Sequence, residues 1–114
     1  MIIIDYKDSR PIYEQVTAKF KDLILKGGLE ADSQMPSVRS LAMELAINPN
    51  TIQKAYAQLE RDGYIYTVKG RGNFVANTES LLECKKEELK NKIIELIREA
   101  NELGITKEEI FNNV

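Results

Sequence analysis

Ala46-Ile47-Asn48-Pro49-Asn50-Thr51-Ile52 is the stretch on which the fold turns. Asn48 is a helix N-cap, because its side-chain oxygen can accept an orphan backbone N–H of the first turn. Pro49 suits the first helical position, where no N–H is needed. Ile47 and Ile52 occupy the two places at which apolar side chains clamp a chain as it enters a helix. Just upstream, Val38, Leu41, Ala42 and Leu45 recur at i, i+3, i+4 and i+7, so they form one buried face behind an N-cap at Ser37. Just downstream, Ile52, Ala55, Tyr56 and Leu59 repeat the same spacing, and Gly63 stops the helix. Two short helices joined this tightly are the mark of a helix-turn-helix.

Working outward, Pro11 opens an earlier helix at its first position. That helix carries the stripe Ile12, Val16, Phe20, Leu23 and Ile24, and Gly27-Gly28 end it. Residues 29–36 read as a loop. After Gly63 the period changes. Tyr64 to Val68 is β-branched and aromatic, Lys69-Gly70-Arg71-Gly72 is a turn, and Asn73-Phe74-Val75 is a returning strand. The result is a mainly α fold with a small β-hairpin wing, a winged helix-turn-helix head at residues 1–76. A helical tail is expected at residues 77–114, starting near Asn77 or Thr78. In it Leu82, Leu89, Leu96 and Leu103 are seven residues apart, with Lys86, Ile93 and Ala100 between them. Ile94 and Ile97 widen the stripe. Gly104 ends the helix, and Ile105, Thr106, Glu109 and Ile110 spell a capping box with its staple for a last short helix.

Composition narrows the function. Of 114 residues, 43% are hydrophobic and 30% charged, which suits a folded domain with a short appendage. No run is long and apolar enough to span a membrane, and Ile2-Ile3-Ile4 runs at once into Asp5, Lys7 and Asp8, unlike a signal peptide core. A cytoplasmic location is therefore expected. One cysteine, Cys84, and no histidine exclude a disulfide framework and a cysteine–histidine zinc site; no cofactor or metal is expected. The net charge of −2 is unevenly placed. Residues 1–76 hold ten Lys or Arg against nine Asp or Glu, and residues 77–114 hold six against nine. The acidity sits in the tail, which permits nucleic-acid binding by the head.

The outward side of the helix after Pro49 shows Asn50, Gln53, Lys54, Ala57 and Gln58. Asn and Gln can pair bidentately with adenine, and Lys donates to guanine or phosphate. They crowd the N-terminal half of the helix, the half that a recognition helix sets in the major groove. Thr51 and the free N–H groups of that turn suit a phosphate. Ser37 and Arg39 begin the preceding helix, and Arg39 lies off its buried face. Lys69, Gly70 and Arg71 form a basic tip able to approach phosphate or the minor groove. Taken singly, each feature has an ordinary reading as a helix start, a solvated face or a turn. Their succession within about forty residues points instead to one device. The tail's stripe can fold back on the first helix, but its width and length favour pairing with a second copy through Leu82, Leu89, Ile93, Leu96, Ala100 and Leu103. Cys84 falls on the outward side of the heptad.

Met35-Pro36-Ser37-Val38-Arg39-Ser40-Leu41-Ala42, Asn48 to Tyr56, Leu59-Glu60-Arg61-Asp62-Gly63 and Gly70 to Val75 together resemble the GntR family of bacterial regulators. Pro11-Ile12-Tyr13-Glu14-Gln15 is similar to the opening of its short YtrA-type branch. The resemblance covers roughly residues 9–76. It implies a winged-helix repressor on an inverted-repeat operator, often controlling a transporter operon and its own promoter. It also implies that Arg39, Asn48, Asn50, Thr51, Gln53, Lys69 and Gly70 stand at DNA-contact positions. Two residues depart from the family pattern: Asp32 where glycine is frequent, and Met35 where leucine is usual. Asp tolerates left-handed backbone and Met fills a similar volume, so the fold is expected to accept both. The 38 residues after the wing are too few for the effector or aminotransferase-like domains of larger relatives.

The leading expectation is thus a homodimeric regulator of double-stranded DNA, with Ser37, Arg39, Asn48, Asn50, Thr51, Gln53, Lys54, Lys69, Gly70 and Arg71 as its contacts. A protein-interaction module that keeps the winged-helix core is the second reading, kept open by the weak charge of the head. An enzyme is the third; the carboxylate pairs carry no sign of a shared pocket. The residues name no effector and no operator.

Overall fold

A computed structural model describes residues 2–112; residues 1, 113 and 114 lie outside it. The elements run α1 (Ile12–Leu25), α2 (Val38–Leu45), α3 (Pro49–Arg61), β1 (Ile65–Val68), β2 (Gly72–Val75), α4 (Glu79–Glu102) and α5 (Lys107–Phe111). The chain divides into two compact units, one up to Leu81 and one from Leu82 onward.

In the first unit α3 packs on α1, α2 and β1. The core takes Val16, Phe20 and Ile24 from α1, Leu41 and Ala42 from α2, and Ile52, Ala55, Tyr56 and Leu59 from α3. Ile65 and Val75 close it from the hairpin. Phe20 meets Tyr56 edge to face, with ring centroids 5.8 Å apart. The Tyr56 hydroxyl donates to the Pro36 carbonyl at 2.7 Å, so this buried polar tip is satisfied. Burial raises the Tyr56 phenol above its ordinary pKa.

Local sequence explains the helix ends. The Ser37 hydroxyl accepts the Ser40 N–H, and the Asn48 carbonyl oxygen accepts the Asn50 N–H at 2.8 Å. Pro49 fills the first position of α3. Gly63, at φ 80°, lets the Tyr64 N–H return to the Leu59 carbonyl at 2.9 Å and so closes α3. Helix α2 ends without a glycine. Ala46 takes φ 55° and ψ 45°, which turns the chain so that the Ile47 N–H reaches the Ala42 carbonyl. Pro11 stands one residue earlier than expected, just outside α1, with its carbonyl accepting from Glu14 and Gln15. Its extended ψ of 148° excludes it from the helix proper.

Strands β1 and β2 pair antiparallel, with Ile65 opposite Val75 and Val68 opposite Gly72. Gly72 therefore belongs to the returning strand, and the turn is only Lys69-Gly70-Arg71. It is closed by the Arg71 N–H on the Val68 carbonyl, with Gly70 at φ 79°. The segment expected as a loop does more than connect. Asp32 N–H donates to Val75, Val75 N–H to Ser33, and Met35 N–H to Asn73, so residues 32–35 add a short third edge to the hairpin, bridged at Gln34 and Phe74. Asp32 holds φ 64° and Met35 is buried, so both departures are accommodated as expected.

The N-terminal segment is tied down by Gln15, a side chain only 2% exposed. Its carbonyl oxygen accepts the Asp5 N–H, and its amide donates to the Asp5 and Arg10 carbonyls. Ile2 thereby joins the core.

In the second unit α4 buries no residue. Ile110 and Phe111 of α5 line a recess with Ile93, Leu96, Ile97 and Ala100 of α4. Thr106 caps α5 by accepting the Glu109 N–H. The Glu109 carboxylate meets the Thr106 hydroxyl and not its backbone N–H, so half of the expected capping box forms. No helix among the described residues is long and apolar enough to cross a membrane.

Candidate nucleic-acid interface

The interface is built on the outer side of α3. Four residues at helical spacing, Ile52, Ala55, Tyr56 and Leu59, anchor one side in the core. A rod held that way must present Asn50, Gln53 and Lys54 outward, and all three are exposed. Asn48 is also exposed. Its carbonyl oxygen is spent on the cap, which leaves its amide to donate. Thr51 is half-buried. Ser37 and Arg39 are exposed at the start of α2.

The outer side is uneven along its length. Towards the C-terminal end, Gln58 is half-buried; its amide donates to Asp62 and its carbonyl oxygen accepts from Arg61. Asp62 also accepts from Lys21 of α1 at 2.6 Å. Gln58 and Lys21 together hold the Asp62 carboxyl below its ordinary pKa. Gln58 is thus committed inside the head, while the N-terminal half of α3 keeps its polar groups open.

The chain order hides a partnership across the head. Asn50, Thr51 and Lys54 line a shallow cleft with Pro11, Ile12 and Tyr13 of α1. The Lys54 ammonium lies over the Tyr13 ring, 3.9 Å from its centroid. Tyr13 was missed by sequence reasoning, since nothing local to either helix announces a contact between residues 41 positions apart.

The wing tip is open: Lys69, Gly70 and Arg71 are all exposed. Its base is braced. Tyr66 and Phe74 stack across the two strands at 5.7 Å. The Tyr66 hydroxyl donates to Asp32 at 2.8 Å, and that bond raises the phenol's pKa. Gln34 donates to the Arg71 carbonyl at 2.8 Å, fixing the tip from the third edge.

On α4, Leu82, Leu89, Ile93, Ile94, Leu96 and Leu103 are exposed, with Leu96 at 64% and Leu103 at 72%. Ala100 and Ile97 are half-buried. Among the described residues no group of His, Cys, Asp or Glu is placed to hold a metal ion. Cys84 is a free, exposed thiol.

Known proteins share this arrangement. The profile of the bacterial regulatory proteins of the gntR family matches residues 12–75. The HTH-type transcriptional repressor YtrA of Bacillus subtilis is 41% identical over 112 residues, spanning 96% of this chain and 86% of that one. A GntR family transcriptional regulator from Listeria monocytogenes superposes with a TM-score of 0.72 at 39% identity, over 96% and 95% of the two chains. The AraR DNA-binding domain, solved in complex with operator ORE1, gives a TM-score of 0.57 at 29% identity over 67% and 93%. The family is one of transcription regulators, not enzymes. From its helix-turn-helix, its paired wing and its long closing helix, this chain belongs to the GntR family of bacterial regulatory proteins and resembles the YtrA-like members among them.

Proposed function

We propose that the protein is a homodimeric, sequence-specific repressor acting in the cytoplasm on an inverted-repeat operator. One observation carries this reading: α3 turns Asn50, Gln53 and Lys54 outward from a fully anchored apolar side. Two such helices in a symmetric dimer enter successive major grooves about 34 Å apart on one face of the duplex. Asn50, Gln53, Lys54 and Arg39 choose the sequence through base edges. Asn48, Thr51, Ser37 and the wing tip of Lys69, Gly70 and Arg71 hold the phosphate backbone. The operator-bound AraR domain supports this use of the head.

The tail supports the dimer. An amphipathic helix of 24 residues with no buried side chain has no core of its own, and a second copy offers the self-complementary stripe that covers it. Leu82, Leu89, Ile93, Leu96, Ala100 and Leu103 form that seam. Control of a transporter operon and of the protein's own promoter completes the reading, on the strength of the resemblance to YtrA-type regulators.

A mobility-shift titration tests it. The probes are a duplex that the protein selects from a randomised pool and a scrambled copy, each at two salt concentrations. The selected duplex should bind at least a thousandfold tighter than the scrambled one, as specific regulators do, and both should weaken as salt rises. Equal binding of the two duplexes would overturn sequence specificity. Failure to bind either would overturn DNA binding.

A further inference from the structure

We infer that Tyr13 is a positioning residue for DNA recognition, acting through Lys54; the inference rests on the DNA-binding reading above. Tyr13 stands on the first turn of α1, and Lys54 on the second turn of α3. The ring and the ammonium meet at 3.9 Å, well inside the distance at which a cation is held by the face of an aromatic ring. The phenol hydroxyl lies 3.4 Å from its neighbour Glu14 and is not on the lysine. The ring face is therefore the element that holds Lys54.

Lysine is the most mobile of the groups along the outer side of α3. Its four-carbon stem gives it many rotamers, and fixing it costs entropy at the moment of binding. The Tyr13 ring fixes it beforehand. Only one side of the ammonium faces the ring, and Lys54 remains exposed. Its N–H groups on the open side can still donate. Asn50 and Thr51 border the same cleft. Held there, Lys54 presents its charge next to Asn50, at the end of α3 that enters the groove. The start of α1, remote in sequence from the helix-turn-helix, becomes part of its recognition surface.

The test is a double-mutant cycle on the full-length protein, read as binding to the duplex that the wild type selects from a randomised pool. Lys54→Met should weaken binding. Tyr13→Leu should weaken it roughly two- to tenfold in the wild-type background. In the Lys54→Met background Tyr13→Leu should do nothing further. Tyr13→Phe, which keeps the ring, should bind as the wild type does, and this separates a lost ring face from a damaged fold. Tyr13→Leu without effect, with tighter binding, or with the same loss in both backgrounds would each overturn the inference. If the wild type selects no duplex at all, the DNA-binding reading falls, and the inference with it.

Discussion

Two residues show the same backbone term with opposite signs. Ala46 ends α2 at φ 55°, where a Cβ crowds the following carbonyl at about 1–2 kcal/mol. Gly63 ends α3 at φ 80°, with open space where a Cβ would sit. Ala46→Gly should therefore stabilise the head by about 0.5–1 kcal/mol, the relief of strain exceeding glycine's larger entropy in the unfolded chain. Gly63→Ala should destabilise it by about 1 kcal/mol or more. Urea titration of the two variants checks both. Destabilisation by Ala46→Gly would mean that the turn does not need left-handed backbone. Tyr56 carries a second test. Its phenol titrates higher in the fold than unfolded, because burial disfavours the anion. The stability it lends is full below the unfolded value near 10 and falls as pH rises past it. Tyr56→Phe should cost about 0.5–1.5 kcal/mol at neutral pH, from the lost bond to Pro36, and should flatten the loss of stability at alkaline pH.

At the scale of elements, legibility followed locality. The N-cap at Asn48, the proline after it and the stripe on α3 are contacts within a few residues, so the sequence carries them openly. The third edge at residues 32–35 was illegible, because a single bridge to Phe74 has no alternation to detect. Pro11 was misplaced by one position because a proline fits both the first helical site and the extended residue before it. The Tyr13–Lys54 and Gln15–Asp5 contacts were equally hidden, since each joins side chains that only the folded head brings together. Helix α4 makes its own prediction. On the proposed reading, a heptad stripe with no fully buried residue in one chain is covered by a second copy. Ile93→Glu puts a charge in the middle of that stripe. Sedimentation should show a dimer for the full-length wild type and a monomer for the variant. A variant that stayed dimeric would place the interface elsewhere.

Across the whole molecule, charge and shape divide the work. The head is nearly neutral, and its exposed cations, among them Lys54, Lys69 and Arg71, are offset by almost as many carboxylates. Affinity from phosphate contacts should therefore be modest per head and should depend on having two heads on one duplex. Lys69→Ala should weaken selected and scrambled duplexes alike and reduce the slope of log affinity against log salt by about 1 per lost contact. A loss confined to the selected duplex would make Lys69 a base reader instead. Recognition rests on α3, whose apolar side is locked in the core and whose amide-bearing side, on the proposed reading, enters a DNA groove. The most direct measurement is the affinity of Gln53→Ala for the selected duplex relative to the scrambled one. That ratio should fall by about 1–3 kcal/mol, or roughly five- to 150-fold, while scrambled binding stays unchanged. An unaltered ratio, or equal losses on both duplexes, would contradict the account.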